Sequence, residues 1–262
     1  KSPPVGLANV FALSGGDYHA LALRDSSADA APTITTQPSN FTATVNTTAT
    51  FSVGVSSQPA PTYQWQRRAA GAGSFVSLGN SSPYSGVTTA TLSVANVSLT
   101  MSGDQFRCVA TNTLGAATSD GATLTTIQAP QFTGASSASF AIGVNGGFTV
   151  GATGTPSPTF ALNSGSFPTW ASLNATTGVI SGTPPDTVGS PFSFTIRATN
   201  SAGSAVSSTF TLTLFVPTPP SVATQPGSGL LNIGNAAIFS VTASGTGPFG
   251  YQWRKNGVPV SG

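Results

Sequence analysis

The side chains able to do acid–base, nucleophilic or metal chemistry are few. They are one histidine, His19, one cysteine, Cys108, two lysines, Lys1 and Lys255, and six aspartates with no glutamate: Asp17, Asp25, Asp29, Asp104, Asp120 and Asp186. A Ser-His-Asp relay could use only His19, and a lone histidine without a second ligand makes no metal site. A catalytic thiol needs a neighbouring base. Cys108 lies in another segment from His19 and reads as a buried apolar residue, the usual place of a free cysteine. Glycoside hydrolysis needs two carboxylates facing each other across a cleft, whereas these aspartates are scattered along the chain. The glycine pairs at 15–16 and 146–147 read as turns, not as a phosphate loop that follows a strand and opens a helix. These absences predict a protein that is not an enzyme and takes no cofactor.

The elements that carry these residues follow from composition. Charged residues make up 5 % of the 262, against about 25 % in an average soluble domain. No run approaches the roughly 18 apolar residues of a spanning helix. A hydrophobic content of 39 % with net charge +2 is the opposite of the disordered composition, and the every-third-glycine period of collagen is absent. Glu is missing and Lys nearly so, while Thr, Val, Gly and Pro are abundant, which favours strands and turns over helix. The chain is therefore predicted to be all-β. Arg67-Arg68 and Arg254-Lys255 are too small as clusters for the basic stripe of a nucleic-acid surface. No signal segment is visible and the first residue is Lys1, which predicts a mature or excised piece of a longer protein.

An internal repeat sets the organisation. Thr36-Gln37-Pro38, Phe51-Ser52-Val53 and Tyr63-Gln64-Trp65 recur 188 residues later as Thr224-Gln225-Pro226, Phe239-Ser240-Val241 and Tyr251-Gln252-Trp253. Between the copies, alternation at period two marks half-buried strands. Phe140, Ile142 and Val144 share a face, as do Phe148, Val150 and Ala152, then Phe192, Phe194, Ile196 and Ala198, and finally Phe210, Leu212 and Leu214. Pro-containing joints, Ala129-Pro130 and the run 216–220, act as semi-rigid spacers. The expected modules are 31–127, 128–216 and an incomplete 217–262, with 1–30 as a separate segment.

Residues 31–127 resemble an immunoglobulin-like domain of the intermediate type. The likeness rests on Trp65 in Thr62-Tyr63-Gln64-Trp65, on Asp104-Gln105-Phe106-Arg107-Cys108, on Leu92, Val94 and Val97 before it, and on the hairpin Thr111–Gly115. It implies tandem Ig-like β-sandwiches and a core of Val53, Trp65, Phe106 and Cys108, with Trp253 in the second copy. Val53 stands where the family has its first cysteine, and Phe106 where it has its corner tyrosine, so the inter-sheet bridge and the corner hydrogen bond are both absent. Residues 128–216, through Trp170–Pro184 and Ala198–Gly203, resemble the Ig-like, cadherin-related modules of large bacterial surface proteins. Relatives of that type bind calcium through clustered acids, which this module, with Asp186 alone, lacks. Many such surface domains are stapled by Lys–Asn isopeptide bonds, yet no lysine lies between 2 and 254. Residues 10–24 resemble part of a blade of the regulator-of-chromosome-condensation propeller repeats, in which His19 is structural.

The resemblance and composition together predict a non-enzymatic, extracellular bacterial surface protein, a stalk or self-assembling filament subunit. Few charges ease self-association. Head-to-tail assembly is expected through the apolar segments holding Phe11, Leu13, Leu21 and Leu23 at one end and Phe239 and Val241 at the other. The alternative is an adhesin or a carbohydrate-binding accessory module, with surface proteins or glycans as partners and Tyr84, Phe75 and Phe167 as sugar platforms. Five Asn-x-Ser/Thr sequons, at Asn40, Asn46, Asn80, Asn96 and Asn174, are about the number chance provides and carry little weight.

Overall fold

The computed structural model describes residues 29–260 in full and, of 10–15 and 20–24, the backbone. His19, Lys1, Asp17 and Asp25 lie outside the described residues. Among the described residues the structure is all-β. The helical element present is a single 3-10 turn at Leu99–Met101, and no helix is long and apolar enough to cross a membrane. The chain divides into two compact units. One holds Lys1–Pro130, Gly154–Ser157 and Asn200–Gly203; the other holds Gln131–Thr153, Pro158–Thr199 and Ser204–Gly262.

Strands β1 (Val10–Gly15) and β2 (Ala20–Arg24) pair antiparallel and, among the described residues, with each other alone. The first sandwich follows: β3 (Ala30–Thr36), β4 (Phe41–Thr44), β5 (Ala49–Ser52), β6 (Gly54–Gln58), β7 (Thr62–Arg68), β8 (Val76–Ser77), β9 (Tyr84–Ser85), β10 (Thr91–Val94), β11 (Gln105–Asn112), β12 (Gly115–Thr118) and β13 (Ala122–Thr133). One sheet runs β5-β10-β9, and the other runs β13-β11-β7-β8, with β12 on β11 and β4 parallel to β13. Alternation aims Phe51, Leu92 and Val94 from the first sheet, and Trp65, Phe106, Cys108 and Leu124 from the second, into one buried cluster.

The second sandwich contains β14 (Ser137–Ala141), β15 (Gly146–Thr149), β16 (Gly151–Thr155), β17 (Thr159–Gly165), β18 (Ala171–Leu173), β19 (Val179–Gly182), β20 (Phe192–Asn200), β21 (Gly203–Val206) and β22 (Phe210–Phe215). Its sheets run β14-β22-β20-β17 and β15-β19-β18, with β14 parallel to β22. Phe194, Ile196, Ala198, Phe210, Leu212 and Leu214 form its core. The face expected for Phe140, Ile142 and Val144 is cut short. β14 ends at Ala141, Gly143 turns at φ 70°, and Val144 is exposed. Gly178, also at positive φ, is the turn residue between β18 and β19; a Cβ there would stand 2.6 Å from the Val150 carbonyl oxygen.

The two sandwiches share a device spaced 88 residues apart, Phe106-Arg107-Cys108-Val109-Ala110-Thr111-Asn112 against Phe194-Thr195-Ile196-Arg197-Ala198-Thr199-Asn200. Asn112 Nδ2 donates to the Ala30 and Pro59 carbonyls at 2.8 and 3.3 Å, while its Oδ1 accepts from the Leu114 and Gly115 amides. Asn200 Nδ2 donates to the Gln128 and Pro156 carbonyls at 2.8 and 2.7 Å, and its Oδ1 accepts from Ala202 N. Each asparagine thus closes its own hairpin and ties that hairpin to a neighbouring strand and loop. Four residues before each asparagine on the same strand, Cys108 N donates to Ser119 Oγ and Ile196 N to Ser207 Oγ, at 2.9 and 3.0 Å, the serines lying just past β12 and β21.

Four further strands occupy the C-terminal segment: β23 (Ser221–Thr224), β24 (Thr242–Ser244), β25 (Arg254–Lys255) and β26 (Val258–Pro259). They pair only as β23-β24 and β25-β26. Removing the amide clamp by Asn112→Ala or Asn200→Ala is expected to cost about 1–3 kcal/mol each, because several carbonyls and amides lose their partners at once. Urea denaturation of the two variants checks this; a loss below about 0.5 kcal/mol, the ordinary surface range, would show that the clamp is dispensable.

Candidate functional site

Val53, Trp65, Phe106 and Cys108 lie buried in one cluster. Trp65 sits on β7, and its indole N–H donates to the Thr89 carbonyl at 2.9 Å, reaching the turn that leads into β10 of the opposing sheet. Phe106, in the corner-tyrosine position, has no hydroxyl and instead packs its ring 4.9 Å from Phe51 and 6.3 Å from Tyr84. The Cys108 thiol is unpaired and buried, and burial pushes its pKa up to about 11. A thiolate is the reactive form, so this environment suppresses nucleophilic chemistry.

Trp253 departs from the core role expected of it. It is 42 % exposed, and Phe239 and Tyr251 are each 57 % exposed. The physical reason is topological. Among the described residues β25 and β26 pair only with each other, so no opposing sheet there covers the ring. Phe239 and Trp253 do approach each other, with centroids 6.4 Å apart. Of the candidate assembly residues, Val241 is partly buried, and Phe11, Leu13, Leu21 and Leu23 fall where the backbone alone is described.

Charge concentrates on β7 and β11. Asp104, 1 % exposed, accepts from Arg67 Nε at 2.7 Å and from the Ala70 amide at 3.0 Å. This is the one ion pair between two described residues. The hydrogen bond to Asp104 holds the Arg67 pKa above its ordinary value, and burial raises that of the neighbouring Tyr84 hydroxyl. On the opposite face of the same strands, Arg68 Nη2 donates to Gln105 Oε1 and Arg107 Nε to Gln66 Oε1, the latter at 2.8 Å. The two guanidinium carbons lie 5.0 and 4.1 Å from the centre of the Phe75 ring.

This geometry alters the aromatic-platform reading. Phe75 is covered by two guanidinium groups, Tyr84 packs on Phe106, and Phe167 stands edge-on to Phe194 at 5.1 Å. None of the three is an exposed ring. The second sandwich has a hollow of about 690 Å³ between Phe167, Trp170, Asp186 and Phe192. Among the described residues no three His, Cys, Asp or Glu side chains converge as metal ligands. The sequon asparagines have backbone roles: Asn40 accepts from the distant Thr123 amide, Asn80 and Asn174 accept from amides in their own loops, and Asn46 and Asn96 adopt positive φ.

The family model for "Immunoglobulin domain" matches residues 31–112, and that for "Putative Ig domain" matches 120–215. Neither reaches residues 1–30, so the propeller resemblance finds no support there, nor does either reach 217–262. Among solved structures, an I-band fragment of titin superposes with TM-score 0.53 at 20 % identity, covering 90 % of this chain and 83 % of that one. Sidekick-1 immunoglobulin domains 1–5 give 0.50 at 19 % identity, over 82 % of this chain and 45 % of theirs. The N-terminal four Ig domains of Dscam1 give 0.51 at 17 %, over 71 % and 46 %. The chain therefore spans less than half of those two multi-domain fragments. No curated protein matches. These likenesses establish tandem Ig-like domains.

Cys108 should resist thiol reagents at pH 8 in the native protein and react once the protein is unfolded. Its folded pKa near 11 exceeds the unfolded value of about 8.5. The stability it contributes is thus complete below pH about 8.5 and is lost as pH rises toward 11; denaturation midpoints across that range test the sign. Asp104→Ala strands Arg67 and the Ala70 amide, and is expected to destabilise by about 2–3 kcal/mol, read from urea denaturation.

Proposed function

We propose that this chain is a non-enzymatic structural protein of the extracellular surface, whose tandem Ig-like sandwiches assemble head to tail. In this reading the segment 217–262 is an Ig-like half-sandwich, completed by the hairpin β1–β2 of a neighbouring copy. The observation that carries it is the contrast between repeats. Phe51 and Trp65 are 1 % and 0 % exposed, whereas their counterparts Phe239 and Trp253 are 57 % and 42 % exposed.

Several physical arguments support the assembly. Burying a large apolar side chain stabilises by about 1.5–3 kcal/mol, and Phe239, Tyr251 and Trp253 with Ile233 and Ile238 are exposed among the described residues, so that gain is open to a partner. An isolated two-stranded hairpin is at best marginally stable in water, and among the described residues β1–β2 pairs with no third strand. The open edges of β23–β26 offer unpaired backbone groups to an added strand. A contact between unlike surfaces that does not close a ring propagates into a fibre. The scarcity of charge and the lack of clustered catalytic groups fit a mechanical role.

The reading predicts concentration-dependent association of the full chain in sedimentation velocity, with fibres visible by electron microscopy. Leu13→Asp with Leu21→Asp, or Trp253→Asp alone, should abolish it while both complete sandwiches stay folded by circular dichroism. A chain that stays monomeric at high concentration, with both ends resistant to protease, overturns it.

A further inference from the structure

We infer a binding site for a carboxylate-bearing polysaccharide on the outward face of β7 and β11. Because Trp65, Phe106 and Cys108 point into the core, alternation places Gln64, Gln66 and Arg68 of β7, and Gln105 and Arg107 of β11, on the other side of the sheet. The register sets Arg68 opposite Gln105 and Gln66 opposite Arg107, so each arginine meets an amide across the strands. Those amides accept one guanidinium N–H each, and guanidinium carries five. Donors therefore remain on both arginines, and both side chains are only partly buried.

Neither Arg68 nor Arg107 pairs with a carboxylate among the described residues, in contrast to Arg67, which holds Asp104. Two like charges are instead gathered around one ring, 5.0 and 4.1 Å from the Phe75 centre. The ring face attracts and orients both cations. Phe75 is seated against Gly121, where a Cβ would come within 3.2 Å of the ring. Packing thus fixes two guanidinium forks in advance, which lowers the ordering cost of binding, and leaves them without a counter-charge. In a chain with 5 % charged residues this is a concentrated positive patch. An arriving carboxylate meets a planar fork suited to bidentate hydrogen bonding.

The surroundings select the polymer. Gln66, Ser77 and Gln105 are neutral hydrogen-bonding groups, suited to sugar hydroxyls. The ring within the patch is already occupied by the arginines, so it is not free to act as the exposed aromatic anchor common in protein–protein hot spots. A uronate-containing chain supplies both spaced carboxylates and hydroxyls. This site is independent of the proposed assembly, which uses residues 10–24 and 217–262.

Calorimetric titration of the full chain with polygalacturonate, neutral dextran and poly-L-glutamate tests the inference. Expected is binding to polygalacturonate alone that weakens steeply with added salt. Arg68→Gln with Arg107→Gln should weaken it at least about tenfold, roughly the cost of losing charge-assisted hydrogen bonds, with the melting temperature and sedimentation behaviour unchanged. Phe75→Leu, which keeps the charges and releases their alignment, should weaken it less. No binding to polygalacturonate, binding unaffected by the double substitution, or tighter binding to poly-L-glutamate overturns the inference. Loss of assembly in Trp253→Asp without loss of polygalacturonate binding would separate this site from the fibre reading.

Discussion

Two β-sheets held face to face without a covalent bridge must be registered by packing and hydrogen bonds, and Trp65 supplies both. Its ring fills the centre of the first core, and its indole N–H bonds the Thr89 carbonyl at the approach to the opposing sheet. Around it Val53 and Cys108 occupy the same buried cluster as two unlinked apolar residues. A disulfide contributes about 2–4 kcal/mol, largely by restricting the unfolded chain. Its absence leaves stability to the burial of Phe51, Leu92, Phe106 and Leu124. The raised thiol pKa of Cys108 is a by-product of that burial.

What surrounds the cores is a way of satisfying backbone groups without charge. Irregular hairpin ends leave carbonyls and amides unpaired, and each one buried without a partner is costly. In both sandwiches one asparagine and one serine at matching positions absorb that demand, Asn112 with Ser119 and Asn200 with Ser207. Ile196 stands in the second sandwich where Cys108 stands in the first. A position that forms half of a bridge in a disulfide-bonded Ig domain is here only a place for an apolar side chain. The few charges that remain are used singly, as with Asp104 under Arg67, or are left facing outward, as with Arg68 and Arg107.

The first and last segments differ from this self-sufficiency. Among the described residues β1 with β2, β23 with β24, and β25 with β26 are two-stranded pairs without a third strand. Among the described residues no second sheet stands against the side chains of 221–260 that repeat the first core, and a sandwich face is buried only against its opposing sheet. Sequence likeness to a core strand is therefore no guarantee of burial. Phe239 and Phe51 are the same residue in the same local pattern with opposite surroundings.

The sequence by itself determined the all-β class, the Ig-like nature of the modules and the inward faces of the long strands, since period-two alternation and turn residues act over a few positions and need no knowledge of partners. Trp65, Phe106 and the run Phe194, Ile196, Ala198 were legible in this way. The shared asparagine clamp was also written in the sequence, as Ala-Thr-Asn at a spacing of 88, but its meaning depends on carbonyls at Ala30, Pro59, Gln128 and Pro156 that only folding brings near. The early end of β14 at Ala141, the exposure of Trp253 and the covering of Phe75 by two arginines were decided by tertiary structure alone. Each depends on which side chains from distant strands arrive at one place, and a strand's own pattern fixes its two faces without fixing what will stand against them.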